Sequence, residues 1–489
     1  MPRLEWPLHI VRRVVIGVIV VAVLAVAVPL TVNWIQERRA RCGDGVVKMG
    51  DDHECVGVTD GSFIFADHLK SVEDKIKKEN DLLEEHGEKY VSVAYMTSFT
   101  LTDDDSNSEE SVRHELEGAY LAQYRHNRGD RSSSPKIKLL IANMGSVAAH
   151  WEHTVDELID RKTSHDKLVA VTGLGPSDES NLTALKQLSR NGLALVASTM
   201  TTTRIEDPEG RFVRVSPTNV DEAYAASAYL KKQKVRTAVV VQDDARKNYY
   251  AKTLGDAFTD VFQDAKGHEL VADRMTYDSS VRKTWQNELQ YMSGQLCDQK
   301  PEAVFFAGRG KHLTRFLDAI ANRPCQDREF MVITGDDTTN LTADDLAHAA
   351  ETGVRVLYTG LAHPDMWQKD RDSVSRLSAR HFQPGGSLAK WFPDDQHQDG
   401  QAIMAHDAVL TAAQGIRMAA LGDVTGESVA RMFHQMNSGQ RVPGASGFLS
   451  FQDNGNPRDK VIPILHLNAK GRSELVEVSQ PRDEPPAKQ

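Results

Sequence analysis

The stretch Leu168–Thr199, "LVAVTGLGPSDESNLTALKQLSRNGLALVAST", decides the fold class of this chain. An apolar run ends in Gly-Leu-Gly-Pro, a Ser-Asp-Glu-Ser cluster follows, and a helical segment leads to a second apolar run. This order is typical of a strand, a helix and a second strand. Because such a unit places its two strands side by side in parallel, the stretch predicts an α/β sheet.

The same alternation of short apolar runs and helical segments extends over most of the chain. The apolar runs begin at Tyr90, Lys136, Lys167, Leu193, Arg236, Ala303, Phe330 and Gly353. Alternating strands and helices imply parallel sheets with crossover helices on both faces. Most runs end in Gly, Ser, Thr or Asp, so polar groups gather at the carboxyl ends of the strands, where open α/β sheets bind ligands.

The length of 489 residues fits two such sheets, preceded by an N-terminal region of different character. "FVRVSPTNVDEA", from Phe212, predicts a first crossing between lobes, and a second crossing is expected around Asp337–Gly353. The predicted units are an N-terminus at 1–13, a transmembrane helix at 14–35, a stalk with a Cys pair and a charged helix at 36–88, lobe 1 at 89–214, lobe 2 at 215–341, a lobe-crossing C-terminal part at 342–479 that partly returns to lobe 1, and a disordered tail at 480–489.

The N-terminal run Val14–Ile35 contains no charged residue. At about 1.5 Å per residue, a helix of this length crosses a hydrocarbon core of about 30 Å, so we predict a membrane anchor with 1–13 in the cytoplasm. The alternative is a cleaved signal peptide with Ala25-Val26-Ala27 as its cleavage site. The net charge of -11 argues against a nucleic-acid partner, because neutralising phosphates needs a basic face.

Four cysteines form two pairs that are local in sequence, Cys42 with Cys55 and Cys297 with Cys325. Two short disulfides in an oxidising compartment explain this spacing, which predicts a single-pass cell-membrane protein with its large C-terminal part outside the cytoplasm. The alternative is four separate buried thiols. No metal site is predicted, since neither pair has zinc-ligand spacing, and the "HWEH" pair, His150 and His153, lacks a third ligand.

The loop after the first quoted strand does not fit a phosphate site or a catalytic turn. Pro176 removes one backbone donor, and Asp178 with Glu179 would repel an anion. Neither a dinucleotide motif, a P-loop nor a Gly-x-Ser-x-Gly elbow is present, so no cofactor and no enzymatic activity are predicted. Two interpretations of Ser177 and Asp178 stay open, a helix cap and a ligand contact, and both can hold together.

Six motifs in the same order resemble the type I periplasmic binding proteins of the leucine/isoleucine/valine-binding kind. They are "ELEGAYLAQYRHNRG" from Glu115, "VTGLGPSDESN" with "GLALVASTMTTTRI", "FVRVSPTNVDEAYAASAYL", "VVVQDDARKNYYAKTL", "HDAVLTAAQGI" from His406 and "GFLSFQDNGNP" from Gly447. The resemblance covers roughly Lys89 to Asn468. It implies two Rossmann-like lobes joined by hinge strands that close over a small ligand.

The resemblance also assigns candidate ligand-binding residues. Ser177, beside Asp178, matches a hydroxyl that meets a ligand carboxylate, and Thr202, next to Thr201, matches a threonine that meets an amino-acid backbone. Tyr250, or Tyr249 in the neighbouring register, matches the cleft tyrosine, and Asp337 matches the acidic residue that pairs with the ligand ammonium. An acidic insert, "TDDDSNSEES", and the missing Gly after the tyrosine depart from the family pattern and leave the ligand open.

We therefore expect a membrane-tethered extracytoplasmic receptor that closes on a small polar ligand such as an amino acid, with an ABC-type permease or a membrane sensor protein as partner. The alternative is a sensor or protein-interaction module that keeps the fold and has an occluded cleft. Bulky side chains near Ser177, Thr202 and Asp337 would favour that alternative. If the acidic insert borders the cleft, its charge would favour cationic ligands.

Overall fold

The computed structural model describes residues 12–13, 15–19, 41–129, 134–338, 341 and 343–479. The strands of this part are β1 Arg41–Gly43, β2 Val46–Met49, β3 Glu54–Thr59, β4 Tyr90–Thr97, β5 Lys136–Asn143, β6 Leu168–Gly173, β7 Ala194–Ala197, β8 Phe212–Arg214, β9 Thr237–Asp243, β10 Glu269–Leu270, β11 Met275–Tyr277, β12 Ala303–Ala307, β13 Phe330–Thr334, β14 Val354–Thr359, β15 Val442–Pro443, β16 Phe448–Leu449, β17 Ile462–Leu467 and β18 Ser473–Ser479.

The helices between them carry the labels α1 to α14. They are α1 Lys70–Glu85, α2 Glu109–Arg128, α3 Trp151–Arg161, α4 Glu179–Arg190, α5 Asn219–Lys232, α6 Tyr249–Phe262, α7 Trp285–Gln299, α8 Gly310–Ala321, α9 Ala343–Glu351, α10 Met366–Lys369, α11 Arg376–Ala379, α12 Ser387–Trp391, α13 Gln401–Ala419 and α14 Gly426–Phe433.

The first lobe is built on the sheet β1-β2-β3-β5-β4-β6-β7-β8. In this sheet β4, β5, β6, β7 and β8 run parallel. Strands β1, β2 and β3 add an antiparallel edge. Helices cover both faces and leave two apolar cores, one on each side of the sheet. The predicted strand–helix–strand unit is confirmed as β6, α4 and β7, with β6 fully buried.

The second lobe is built on the sheet β10-β9-β12-β13-β14-β17-β18, with β11 also paired to β9. Strands β9 to β14 are parallel, whereas β17 and β18 are antiparallel additions from the end of the chain. Apolar side chains again fill both faces. The predicted α/β architecture of two lobes with mostly parallel sheets is confirmed.

Three connections join the lobes. The chain passes to the second lobe after β8, returns to the first lobe after β14, and crosses again before β17. The return after β14 lies later than the crossing predicted at Asp337–Gly353. Helix α13 from the returning segment packs along α2, and Gly118 permits this approach because a Cβ there would lie 2.0 Å from the carbonyl oxygen of Ala402.

The region predicted as a stalk at 36–88 differs from the structure where it is described. Strands β1 to β3 pair with the first sheet, and α1 buries Val72, Ile76 and Leu83 against the lobe. The helix is charged on its exposed side, and its apolar side packs against β5 and α2. The described part of this segment therefore belongs to the first lobe. Short edge strands rich in Gly and Asp are difficult to distinguish from a loop by composition.

Both predicted disulfides are confirmed. Cys42 bonds to Cys55 and ties β1 to β3, and Cys297 at the end of α7 bonds to Cys325 after α8. The alternative of four buried thiols is therefore wrong. The second bond holds two helices on the same face of the second sheet.

The predicted membrane span at Val14–Ile35 and the predicted tail at 480–489 lie mainly or wholly outside the described residues. Within the described ranges, no helix combines the length and the apolar character needed to cross a membrane. The predicted single-pass membrane location is corrected by this finding.

Candidate functional site

A cavity of about 350 Å³ lies between the two lobes. Its first wall is formed by the segments that follow β4, β5 and β6, and its second wall by the segments that follow β9, β11 and β12. Parallel strands place their carboxyl ends at one edge of a sheet, so two such edges face each other here. This is where the sequence analysis predicts a ligand site.

The quoted loop after β6 turns through three successive residues with positive φ. Gly173, Leu174 and Gly175 have φ angles of 87°, 69° and 68°. A Cβ on Gly173 would approach the carbonyl oxygen of Met96 to 2.7 Å, so the position requires glycine. The turn directs the next residues, Pro176 to Asp178, toward the second lobe.

Ser177 is buried and forms hydrogen bonds within the first lobe. Its Oγ accepts hydrogen bonds from the backbone N–H of Thr201 at 3.0 Å and of Thr202 at 3.1 Å. Its carbonyl oxygen accepts from Arg309 of the second lobe at 2.9 Å. Ser177 thus holds two loops of its own lobe together and contacts the other lobe through its backbone.

Asp178 is the N-cap of α4 and lines the cavity. Its Oδ1 accepts from the backbone N–H of Asn181 at 2.9 Å, which confirms the capping interpretation. Burial raises the pKa of Asp178 to about 6, although the Asn181 N–H and the charge of Arg309 oppose this shift. The carboxylate is therefore both a helix cap and an acidic group at the cavity between the lobes.

The two predicted threonines lie deeper than the cavity wall. Thr202 Oγ1 accepts from the backbone N–H of Arg204 at 3.3 Å and lies 3.4 Å from Thr253 Oγ1 of the second lobe. Thr201 is also buried, and its Oγ1 has no hydrogen-bond partner in the described part of the chain. Thr202 therefore lies at the contact between the lobes.

The two predicted tyrosines differ in environment. Asn248 caps α6 by accepting from the Ala251 N–H at 3.1 Å, which places both tyrosines in the first turn. Tyr250 is buried, and its hydroxyl accepts from the backbone N–H of Asp337 at 3.3 Å. Tyr249 is half-buried and lies under the guanidinium of Arg204 at 5.6 Å.

Asp337 is paired with Arg309 of its own lobe. Its Oδ2 accepts from Arg309 at 3.1 Å, and its Oδ1 accepts from the Gly310 N–H at 3.2 Å. The Arg309 guanidinium also lies 4.8 Å from the centre of the Tyr250 ring. The position predicted for a ligand ammonium is thus occupied by an arginine that also contacts Ser177.

Behind Asp337 lies a second pair of buried acids, Asp336 and Glu222. Burial and the charge of Asp337 raise the pKa of Asp336 to about 7, and burial with the charge of Asp336 raises the pKa of Glu222 well above its usual value. Thr359 donates a hydrogen bond to Glu222 at 2.8 Å. The raised pKa values of both carboxyl groups favour their neutral forms and so lower the negative charge at this side of the cleft.

Ion pairs at the cavity mouth join the two lobes. Arg282 lies 2.5 Å from Asp104, and Lys247 lies 2.9 Å from Glu179. Lys311 also donates to the carbonyl oxygen of Asp104. The acidic insert of the sequence therefore borders the cleft, and two cations of the second lobe contact it.

The structure brings Ser177, Tyr250 and Asp337 into contact with Arg309. Thr202 joins this group only through its hydrogen bond to Ser177, and Asp178 lines the cavity. Arg309 and Lys311 are absent from the sequence predictions. Their position in the sequence could have identified them, because they follow β12 in "AVFFAGRGKH" as directly as the predicted residues follow their own strands.

The sequence profile of the periplasmic binding protein family matches residues 100–472. The chain is similar to a leucine binding protein from Thermotoga maritima, with 15% identity and a TM-score of 0.62 over 81% of this chain and 100% of that chain. It is also similar to a branched-chain amino acid transporter substrate binding protein from Streptococcus pneumoniae in complex with isoleucine, with 16% identity and a TM-score of 0.60 over 80% of this chain and 100% of that chain.

A third solved structure, the solute binding protein of an ABC transporter from Rhodopseudomonas palustris in complex with 3,4-dihydroxybenzoic acid, has 14% identity and a TM-score of 0.59 over 80% of this chain and 98% of that chain. At these identities the likeness shows the fold alone. No curated protein sequence matches this chain. The profile match spans most of the chain and agrees with the two-lobe architecture, so the chain belongs to the periplasmic binding protein family.

Proposed function

We propose that this protein binds a small polar solute outside the cytoplasm by closing its two lobes, and that it does not catalyse a reaction of this solute. The observation that carries the proposal is the cavity of about 350 Å³ between the two sets of strand ends. The two disulfides support an oxidising compartment. Ligand pockets are usually concave sites, and this one is lined mainly by polar and charged side chains from both lobes, which suits a polar solute.

The cavity favours a ligand that carries both charges, such as an amino acid or a related zwitterion. Asp105 and Asp178 line it from the first lobe, and Arg309 and Lys311 line it from the second. In our proposal a ligand ammonium lies toward Asp178 and a ligand carboxylate lies toward Lys311. The isoleucine in one similar structure supports this class, although it belongs to that protein.

The predicted ligand contacts of Ser177, Thr201, Thr202, Tyr249, Tyr250 and Asp337 enter the proposal in a changed role. Most of them have internal partners, and Ser177, Tyr250 and Asp337 hold Arg309 in place. We propose that they form the wall behind the ligand and fix the guanidinium that faces it. Closure then shifts an existing equilibrium between open and closed lobes, and the ion pairs at the mouth favour the closed form.

One observation favours the alternative of a sensor or interaction module with an occluded cleft. Arg309 fills the space between Ser177 and Asp337, which is where a bulky side chain would block an amino acid. In that case the closed lobes themselves are the surface that a partner contacts. For a solute-binding protein the proposed partner is an ABC-type permease. For a sensor or interaction module the proposed partner is a membrane sensor protein.

The test is a thermal-shift screen of the purified full-length chain against amino acids, amides, polyamines and sugars. A ligand at 100 times its dissociation constant adds about 2.7 kcal/mol to the stability. Lys311→Met is expected to abolish the shift, and Lys232→Met is the matched control that keeps it, because this lysine is 64% exposed on α5 and does not line the cavity. No shift with any compound class would favour the occluded alternative.

A further inference from the structure

Four side chains with metal-binding atoms converge between α2 and the segment before α13, and none of them lines the cavity of about 350 Å³. His114 and Glu117 lie one turn apart on α2, and Asp395 and His397 lie in the segment before α13. One nitrogen or oxygen atom from each side chain lies within 4.8 Å of the other three. The side chains of His114, Glu117, Asp395 and His397 are 2%, 1%, 13% and 6% exposed, so the cluster is an interior one.

Two atoms of this cluster have no hydrogen-bond partner in the described residues. They are Nε2 of His114 and Oε1 of Glu117, and both are buried. An unpaired polar atom in the interior costs roughly 1–3 kcal/mol, and such atoms are rare in native proteins. Nε2 of His114 faces Oδ1 of Asp395 at 3.5 Å without a hydrogen bond, so the two atoms leave positions in the cluster that a cation can fill.

The surrounding hydrogen bonds orient the cluster as a metal site requires. Asp399 lies 2.8 Å from Nδ1 of His114, so this carboxylate accepts the Nδ1 proton and the lone pair of Nε2 faces the cluster. Arg113 donates to both oxygens of Asp395, at 2.6 Å and 3.2 Å, and fixes that carboxylate. His397 Nε2 lies 2.5 Å from Oε2 of Glu117.

The net charge of the cluster also favours a bound cation. Glu117, Asp395 and Asp399 contribute three carboxylates, and Arg113 contributes one guanidinium. Metal ligation requires neutral imidazoles, and with both of them neutral the group carries two net negative charges in a mostly buried place. A divalent cation would balance this charge, because buried carboxylates are found paired or bound to metals.

We propose that His114, Glu117, Asp395 and His397 bind one Zn²⁺ ion. Two imidazole nitrogens and two carboxylate oxygens supply the four ligands of a tetrahedral zinc site, in which Zn–N and Zn–O distances are about 2.0–2.2 Å. Small side-chain rotations bring the four atoms to that distance, and the metal replaces the direct bond between His397 and Glu117. The ion ties the segment before α13 to α2.

An access path leads to this site. A cavity of about 270 Å³ borders it and is lined by His114, His397 and Asp399 together with Tyr358 and Ser473 of the second lobe. The zinc site therefore lies beside the contact between the lobes, at a different place from the ligand cavity. The sequence analysis predicts no metal because it considers ligands that are close in sequence, whereas the two halves of this cluster are distant in sequence.

The test is zinc binding by the full-length chain after dialysis against a chelator. Isothermal titration with ZnCl₂ is expected to give one site per chain, and Co²⁺ is expected to produce the visible absorption of a tetrahedral N/O site. His397→Ala and Asp395→Asn are each expected to weaken zinc binding by at least about 100-fold, since even outer partners of a metal site change affinity by 10–100-fold.

His153→Ala is the matched control. It removes an imidazole that lies on α3, outside the cluster, and zinc affinity is expected to remain unchanged. Asp395→Asn keeps the size of the side chain, and circular dichroism in excess chelator checks that each variant is folded. Absence of zinc binding by the folded natural chain, or equal affinity in the natural chain and both cluster variants, would overturn the proposal.

Discussion

Two buried groups of charged side chains in this molecule differ in how completely they are paired. In the cleft, both oxygens of Asp337 accept hydrogen bonds, and Arg309 reaches across to the first lobe. In the cluster beside the second cavity, His114 and Glu117 each retain a buried atom with no hydrogen bond among the described residues. The comparison teaches that Arg309 completes the pairing in the cleft, whereas Arg113 pairs only with Asp395 in the cluster and leaves the other acidic groups without a Lys or Arg partner in the described residues.

The largest effect is expected from removing the counter-ion that the chain supplies. Arg309→Ala leaves Asp337 buried without its partner, which costs about 3–5 kcal/mol of unfolding free energy. Urea unfolding followed by circular dichroism measures this loss. A loss below about 1 kcal/mol, as expected for an exposed ion pair, would show that the cleft pair is not buried in solution.

Supplying the counter-ion to the second group is expected to have the next largest effect. Zinc at 100 times its dissociation constant adds about 2.7 kcal/mol to the stability of the natural chain, because the metal binds only the folded form. The same addition is expected to leave His397→Ala unchanged. Thermal unfolding with and without zinc measures both values, and an equal gain in the variant would place the metal elsewhere.

Ser177→Ala tests whether the cleft loop is held by its own hydrogen bonds. The change leaves the buried N–H groups of Thr201 and Thr202 without their acceptor, so a loss of about 1–3 kcal/mol is expected. Ser180→Ala, at the cavity wall, is the control with an expected change within about 0.5 kcal/mol. Undiminished stability together with lost ligand binding would instead return Ser177 to its predicted role as a ligand contact.

Asp178→Asn is expected to change the pH dependence of stability. Burial raises the pKa of Asp178 in the folded chain to about 6 from its ordinary value of 3.8. The folded state binds more protons than the unfolded state between these values, so its contribution to stability falls as the pH rises through this window. Asparagine keeps the helix cap and removes the change in unfolding free energy with pH that Asp178 contributes. Parallel pH profiles of natural chain and variant, measured by urea unfolding, would contradict the raised pKa.

The smallest effect is expected at the mouth of the cleft. Arg282→Ala removes an ion pair whose arginine is 81% exposed, so less than about 1 kcal/mol is expected, and salt should reduce it further. The informative readout is the distance between the lobes by small-angle scattering, which is expected to increase. A compact particle at every salt concentration would show that the Arg282–Asp104 ion pair does not hold the lobes together.

Much of the fold follows from local patterns in the sequence. Each apolar run from Tyr90 to Gly353 corresponds to a strand, and the cysteine spacing predicts both disulfides correctly. These features depend on neighbours in sequence. The edge strands β1 to β3 are missed, because their burial depends on β5, which comes much later in the chain.

The site is harder to predict because its partners come from separate strand ends. Asp337 is a reasonable ligand for an ammonium until Arg309, from the end of the neighbouring strand, is seen to reach it first. The four-residue cluster likewise requires α2 to meet the segment before α13. Residue type and spacing identify the groups, and only tertiary packing shows which of them pair.

The contact between Gly118 of α2 and Ala402 of α13 has a consequence for synthesis of the chain. During translation, α2 leaves the ribosome long before α13, and the whole parallel part of the second sheet is made in between. The apolar face of α2 in the first lobe therefore stays uncovered while the second lobe is synthesised and folds. Final docking of α13 is a late event, and a chaperone that shields α2 until then would act at the most vulnerable stage of biogenesis.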